Sequence, residues 1–254
     1  VLLYLNHKHK DNCTPIPREL FEKRGVIKSS VVERAARLEW KDVSMKWTQR
    51  DPKRPGVLEI PPNYWKAVKD CVKRKTRFIT IPFGFSCTDS QGRRSGHANM
   101  LVYDSKTKEL ERFEPNASMG GGCFDPPGLD EMLKTLFNQH VKVGMVKKAI
   151  PPLGYCPEGF QAIQALEDED LPTDPSGWCA VWSAWYADTR LLNPNKSREE
   201  VVKLAMNKLE RDPESFTKFI RNYSMFIVKA ADALKTTRDP EIVFAKLLRG
   251  EKFV

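Results

Sequence analysis

The segment Gly96–Ser118, "GHANMLVYDSKTKELERFEPNAS", decides the fold prediction because it contains two strand-like runs joined by a polar turn. The runs "HANMLVYD" and "LERFEP" are strand-like in composition, and "SKTK" between them favours a hairpin. A turn centred on Ser105–Thr107 places His97 opposite Glu114 to Asn116. Either Glu114 or Asn116 is then within reach of the imidazole, and the register of the turn leaves both open.

The flanking segments predict a mixed sheet with helices. "RFITIPFGF" (77–85) indicates a buried strand, and "VKVGMVKKAI" (141–150) returns as another. Helical periodicity covers 16–46, 63–74, 129–141, the segment that starts at Cys179, and most of the chain after Ser197. A capping signature opens the last of these, because Ser197 is followed three residues later by Glu200. The predicted fold class is therefore α+β.

Length and hydropathy exclude some classes of protein. The chain has 254 residues, 41% of them hydrophobic, which is enough for one large domain or for a core with an appended arm. No apolar run of about 18 residues is present, so no membrane-spanning helix is predicted. We expect a soluble protein, and the missing initial Met indicates a segment of a longer chain.

The positive charge is concentrated in the first third. Residues 1–75 contain 18 lysines and arginines against 9 aspartates and glutamates, whereas residues 76–254 contain 24 of each. We therefore predict a basic, mainly helical arm over 1–75 and a core over 76–254, with "TQRDPKRPG" (48–56) as the junction. Such asymmetry favours an acidic partner such as nucleic acid, and a plain solvated surface is the alternative interpretation.

Cysteine and glycine patterns argue against cofactors. The six cysteines are widely spaced and form no CxxC pair, so reduced thiols are expected and a zinc site is not. "HKHKDNC" (7–13) offers too few ligand types for a metal. The triple glycine of "MGGGCFDPPG" (119–128) lacks the Lys and Ser/Thr of a phosphate-binding loop. We predict no metal and no cofactor.

Cys179 is the candidate nucleophile. It stands where the loop "PSGW" (175–178) turns into the helix "CAVWSAWYADTRLL", close to unpaired backbone N–H groups and the positive end of the helix dipole. These groups lower a thiol pKa and can also bind an oxyanion, which predicts an activated cysteine. The competing interpretation is a small buried hydrophobic residue. His97, with a carboxylate or amide beside it, would complete a catalytic triad.

The order His, Glu or Asn, Cys over residues 77–190 resembles the adenovirus maturation protease and SUMO-protease group of cysteine peptidases. A likeness spanning nearly the whole chain is to proteins of large DNA viruses, which share "IPPNYW", "RFEP", "GFQ" and "GWCAVWSAWYADTRLLNP". The resemblance implies a papain-like or adenain-like core, with a central mixed sheet flanked by helices, plus an N-terminal helical arm.

The resemblance also implies roles for individual residues. His97 would be the general base, Glu114 its orienting partner and Cys179 the nucleophile, with Gln161 as oxyanion donor. The group's Gln usually lies six or seven residues before Cys, whereas here the acidic loop "EDEDLPTDPSG" (167–177) intervenes. Gln164 therefore stays an alternative to Gln161, and Asn116 stays an alternative to Glu114, since the related African swine fever virus protease uses Asn. "WCA" also replaces the usual "DCG".

The function implied is cleavage after Gly-type sites, in ubiquitin-like conjugates (as a deubiquitinase or deSUMOylase does) or in viral polyproteins. Trp178 would wall the narrow slot that excludes side chains at the cleavage point. Expected locations are the host cytoplasm, in a virus factory or virion, or the nucleus. An acyltransferase on the same fold, or an inactive binding module, are the alternatives.

Overall fold

The structure, a computed structural model, describes residues 1–17, 40–51, 54, 56–88, 91–92, 94–117, 128–156, 158–167, 178–211 and 215–235. Most of the helix predicted over 16–46 lies outside these residues, as do nearly all of the glycine loop 119–128 and of the acidic loop 167–177. The described part is a mixed sheet with helices packed on it, which confirms the α+β class.

Strands come from both the N-terminal third and the rest of the chain. Their bounds are β1 Asn12–Cys13, β2 Met45–Gln49, β3 Val57–Glu59, β4 Phe78–Thr88, β5 Arg94–Asp104, β6 Glu109–Phe113 and β7 Lys148–Ile150. They form one seven-stranded sheet in the order β3-β2-β4-β5-β6-β7, with β1 paired to β4 beside β2. Pairing is antiparallel for β2 with β3, β4 with β5 and β5 with β6, and parallel elsewhere.

Helices connect and cover these strands. Their bounds are α1 Leu2–Lys8, α2 Trp40–Val43, α3 Tyr64–Lys73, α4 Leu129–His140, α5 Phe160–Glu167, α6 Cys179–Leu192, α7 Arg198–Arg211 and α8 Phe216–Lys235, with a 3₁₀ turn at Pro152–Gly154. α6 begins at Cys179, as predicted. The capping signature before α7 is confirmed too, because the N–H of Ser197 donates to Glu200 and the N–H of Glu200 donates to Oγ of Ser197.

The predicted hairpin is present and its register is fixed by β5 and β6. Met100 pairs with Phe113 and Asp104 pairs with Glu109, so the turn occupies 105–108. Continuing this register beyond the strand places Asn99 opposite Glu114. This register therefore brings the two open ends of the hairpin, and the polar side chains on them, close together.

β5 is buried on both faces, so the sheet lies between two hydrophobic cores. Met100 and Val102 belong to the core that includes Trp182 of α6, whereas Leu101 and Tyr103 belong to the core beneath α3 and α4. Burying each large apolar side chain stabilises the fold by about 1.5–3 kcal/mol. The site-bearing strand is consequently held rigidly from both sides.

The mainly helical arm over 1–75 stays a prediction, but the described part of these residues also contains three strands, and those strands join the sheet. β1 and β2 pair with β4, and β3 extends the sheet beyond β2. The predicted helix over 16–46 overlaps β2 at Met45, and β2 runs into the predicted junction at 48–56. Pairing to the long partner β4 decides this structure, and short strand segments carry little periodicity of their own.

The expectation of reduced thiols is also wrong. Cys13 of β1 and Cys71 of α3 form a disulfide with Cα atoms 5.6 Å apart, and Cys87 is disulfide-bonded as well. Of the described cysteines, Cys156 and Cys179 keep free thiols. A link across a sequence separation of 58 residues stabilises a fold by about 2–4 kcal/mol, mainly by restricting the unfolded chain.

The N-terminal helix packs against the helix that carries Cys179. Asp188 of α6 accepts from Nζ of Lys8 at 2.9 Å and lies 2.5 Å from Nε2 of His9. Burial opposes ionisation of Asp188, but these two partners outweigh it and the pKa of the carboxyl lies below its usual range. Within the described ranges, no helix is both long and apolar enough to cross a membrane.

Candidate active site

His97 and Glu114 lie side by side at the open end of the hairpin. Nδ1 of His97 is 3.0 Å from Oε1 of Glu114, and their side chains are 7% and 5% exposed. The separation is that of an ion pair, but the contact lacks the geometry of a hydrogen bond to Nδ1. Because a carboxylate can only accept, a neutral ring that turned to bond Glu114 would carry its proton on Nδ1 and keep Nε2 as its basic atom.

Asn116 contacts the other ring nitrogen. Its side-chain amide lies 2.8 Å from Nε2 of His97. The two alternatives that the sequence left open are therefore both next to the imidazole, with Glu114 at Nδ1 and Asn116 at Nε2. An amide can present either its NH₂ or its oxygen, so Asn116 can hydrogen-bond the neutral ring and, turned over, the protonated ring.

Cys179 lies at the start of α6, next to the strand that carries His97. Its thiol is within hydrogen-bonding reach of the backbone N–H groups of Ala98, Ala180 and Cys179 itself. One helical turn later, Oγ of Ser183 donates to the carbonyl oxygen of Ala98 at 3.0 Å. Two consecutive turns of α6 thus contact Ala98, the residue after His97, so Cys179 lies close to the strand that carries His97.

The prediction of a lowered thiol pKa is wrong for this structure. Burial raises the pKa of Cys179, and the backbone N–H groups of Ala98 and Ala180 offset only part of that effect. The charge of Glu114 adds to the increase. The helix N-terminus is present as predicted, but loss of water around the thiol outweighs it, so the resting thiol is protonated.

We therefore expect alkylation of Cys179 by iodoacetamide to be slow at pH 6–7 and to rise roughly tenfold per pH unit up to and beyond pH 9. Mass spectrometry of the labelled peptide measures this rate. Cys156 is an internal control, since burial raises the pKa of its thiol to about 12 and its labelling should be slower still. Labelling of Cys179 that persists undiminished to pH 5 would contradict the raised pKa.

Gln161 lies beside the end of the hairpin. Its N–H donates to the carbonyl oxygen of Pro115 at 3.0 Å. A Cβ at Gly159 would be 2.4 Å from the backbone carbonyl carbon of Asn116, so only glycine allows this close approach. Among the described residues, no group hydrogen-bonds the buried Oε1 of Gln161. That oxygen can only accept, and the oxyanion role that the resemblance implies would fall to the donor Nε2, so the role stays a prediction.

Gln164 and Trp178 have other surroundings. Gln164 is 2% exposed and accepts from Nε1 of Trp182 at 2.7 Å, which ties its amide to the core. Trp178 directly precedes α6 and packs, partly buried, against the same core. These contacts favour Gln161 over Gln164, and the slot-wall role of Trp178 stays a prediction.

Asn99, a buried polar residue behind Glu114, is not among the site residues predicted from the sequence. Asn99 is fully buried and its Nδ2 donates to Oε2 of Glu114 at 2.6 Å. Its position two residues after His97 on the same strand was the available signal, because alternation puts both side chains on one face. Within the described ranges, no group of three or more His, Cys, Asp or Glu side chains is arranged to hold a metal ion.

Comparisons with known proteins give one informative match. The chain is 28% identical over 173 residues to a protein of Acanthamoeba polyphaga mimivirus that is named as an ankyrin repeat protein. The match covers 63% of this chain but only 22% of that relative, so the chain spans about a fifth of its length. No model of a known protein family matches the chain, and no solved structure does.

Proposed function

We propose that this chain is a cysteine peptidase that cleaves after Gly-type sites in ubiquitin-like conjugates or viral polyproteins, on a papain-like or adenain-like core. The observation that carries the proposal is the 3.0 Å contact between Nδ1 of His97 and Glu114, beside a helix that begins at Cys179. Acyl transfer by a cysteine needs an imidazole oriented by a carboxylate and a thiol that is not in a disulfide, and all three groups are present here.

The reaction begins with proton transfer from Cys179 to Nε2 of His97 while Sγ attacks the substrate carbonyl carbon. Asn116 must release Nε2 or turn its oxygen toward the protonated ring. The N–H of Cys179 and the amide of Gln161 bind the oxyanion. His97 then gives its proton to the leaving amine, and the thioester remains.

Water completes the cycle. His97 removes a proton from the water as its oxygen attacks the thioester carbonyl carbon, and the C–S bond breaks. The acid product leaves and the thiol regains its proton. Because burial raises the pKa of Cys179, the base acts during the attack and does not store a thiolate beforehand. No step requires a metal or an organic cofactor.

The disulfide bears on location. Disulfides persist in oxidising environments, including virion surfaces, and are rare in reducing cytosol. The Cys13–Cys71 link therefore favours the virion over the virus factory or the nucleus among the proposed locations. Nucleic-acid docking by residues 1–75 belongs to the same proposal, supported by the exposed Lys66, Lys69 and Lys73 on α3.

A binding module is the second candidate. The mimivirus relative is named for a repeat that usually serves protein interaction, and a buried thiol with a raised pKa suits an inactive site. The described residues nevertheless form a mixed sheet, whereas ankyrin repeats are stacked helix pairs. The name of the relative therefore fits another part of that protein better than it fits the fold of this chain.

The decisive experiment is covalent capture. We expect a ubiquitin or SUMO probe with a C-terminal electrophile, or a Gly-Gly-X peptide electrophile, to label the wild-type chain at Cys179. Cys179→Ala should abolish labelling, and Cys156→Ala, which removes the other described free thiol, should not. Labelling by acetyl-CoA alone would replace the proposal with an acyltransferase, and no labelling by any reagent would replace it with a binding module.

A further inference from the structure

Asn99 is hydrogen-bonded at both ends of its side-chain amide. Nδ2 donates to Oε2 of Glu114 at 2.6 Å, and Oδ1 accepts from Arg112 at 3.2 Å. Arginine has donors only, so the atom that faces it must be the oxygen of the amide. The NH₂ group is then aimed at Glu114 by its neighbours.

Arg112 is itself fixed in place. It is 1% exposed, and its Nε and second terminal nitrogen donate to the two carboxylate oxygens of Asp130, both at 2.9 Å. Such a two-point pair fixes the plane of the guanidinium. Asp130 lies in the first turn of α4, so a continuous series of contacts runs from this helix through the sheet to the imidazole of His97.

Glu114 receives donors on both carboxylate oxygens. Oε2 accepts from Asn99, while Oε1 accepts from the N–H of Asn116 at 3.0 Å and lies 3.0 Å from Nδ1 of His97. These bonds fix the orientation of the carboxylate. Glu114 is 3% exposed, so protein groups must replace most of its water.

We propose that Asn99 is a positioning residue for the catalytic triad: anchored by Arg112 and Asp130, it holds the Glu114 carboxylate aimed at Nδ1 of His97. This inference rests on the proposed peptidase function. Asn99 touches neither substrate nor reacting atoms, and its effect passes through Glu114 alone.

Asn99→Ala tests the role. We expect kcat to fall about 10- to 100-fold with KM within twofold, because only orientation of the base is lost. Asn99→Asp should lower kcat further, because it keeps the contact with Arg112 but sets a carboxylate against Glu114 where the NH₂ group donated.

Asn138→Ala is the matched control. Asn138 is partly buried, and its amide is also bonded at both ends, to the carbonyl oxygen and the N–H of Val146, on the far part of α4. Its replacement should lower thermal stability without lowering kcat. An Asn99→Ala kcat within twofold of that of wild type or of Asn138→Ala overturns the proposal. If Asn99→Ala does not fold, Asp130→Asn replaces it, with a smaller loss of kcat expected.

A second measurement separates this inference from the proposed function. The proton on Nδ1 of His97 should give a far-downfield ¹H NMR signal in wild type, whether or not the chain cleaves peptides. We expect that signal to move upfield and exchange faster in Asn99→Ala and to stay unchanged in Asn138→Ala. An unchanged signal in Asn99→Ala refutes positioning, whereas an inactive wild type that still shows the expected change refutes only the peptidase.

Discussion

His97→Ala is expected to lower kcat on the order of 10⁴-fold for any peptide that the wild-type chain cleaves. Burial raises the pKa of the Cys179 thiol, so without a base the nucleophile stays protonated at neutral pH. The same change removes the acid that protonates the leaving amine. Steady-state hydrolysis of a fluorogenic Gly-Gly peptide, followed by active-site titration, measures the loss.

His7→Ala is the control for this loss. His7 is exposed on α1, and its replacement should leave kcat within twofold. The residual rate of His97→Ala should climb with pH, because hydroxide then removes the thiol proton that the imidazole no longer takes. A His97→Ala enzyme within tenfold of wild type, tested beside an inactive Cys179→Ala, would show that His97 is not the base.

Glu114→Gln is expected to lower kcat by about 10²- to 10⁴-fold. An amide NH₂ facing Nδ1 of His97 favours the tautomer with its proton on Nε2, and that proton blocks the basic atom. In this variant, Nδ2 of Asn99 also faces an amide with one acceptor oxygen in place of the two of the carboxylate. The readout is kcat over a pH series, with thermal unfolding to confirm that the variant is folded.

Two further variants make this result specific. The backbone of Glu158 forms a β-bridge with Ala117, and its side chain is exposed. Glu158→Gln therefore changes only an exposed carboxylate and should alter kcat less than twofold. Asn116→Ala removes the partner of Nε2 and is expected to cost about tenfold or less, since it loses one hydrogen bond. A larger loss in Asn116→Ala than in Glu114→Gln would reverse the two roles.

Local patterns in the sequence predicted the elements that carry the site. Two strand-like runs joined by a polar turn predicted β5, the turn at 105–108 and β6. The 3.6-residue period of apolar side chains after the loop predicted that α6 starts at Cys179. Turn length limits a hairpin register to a few residues. That limit was enough to place Glu114 and Asn116 near His97, but not to say which ring nitrogen each one contacts.

Long-range pairing was beyond those patterns. β1 and β2 join the sheet because the exposed edge of β4 offers them backbone partners, and the disulfide joins Cys13 to Cys71 because α3 packs beneath β1. No pattern within ten consecutive residues of the sequence predicts either the strand pairing or the disulfide. The N-terminal third therefore looked like a separate arm by its charge.

By itself the sequence determined the α+β class, the hairpin, the placement of His97 and of Glu114 or Asn116 on its two sides, and Cys179 at a helix start. These follow from periodicity and turn chemistry over short distances. The tertiary structure alone decided the contacts of each imidazole nitrogen, the support of Glu114 by Asn99 and Arg112, and the raised pKa of the thiol. Those properties depend on burial and on donors brought together from distant parts of the chain, and burial is set only when the sheet and its helices pack.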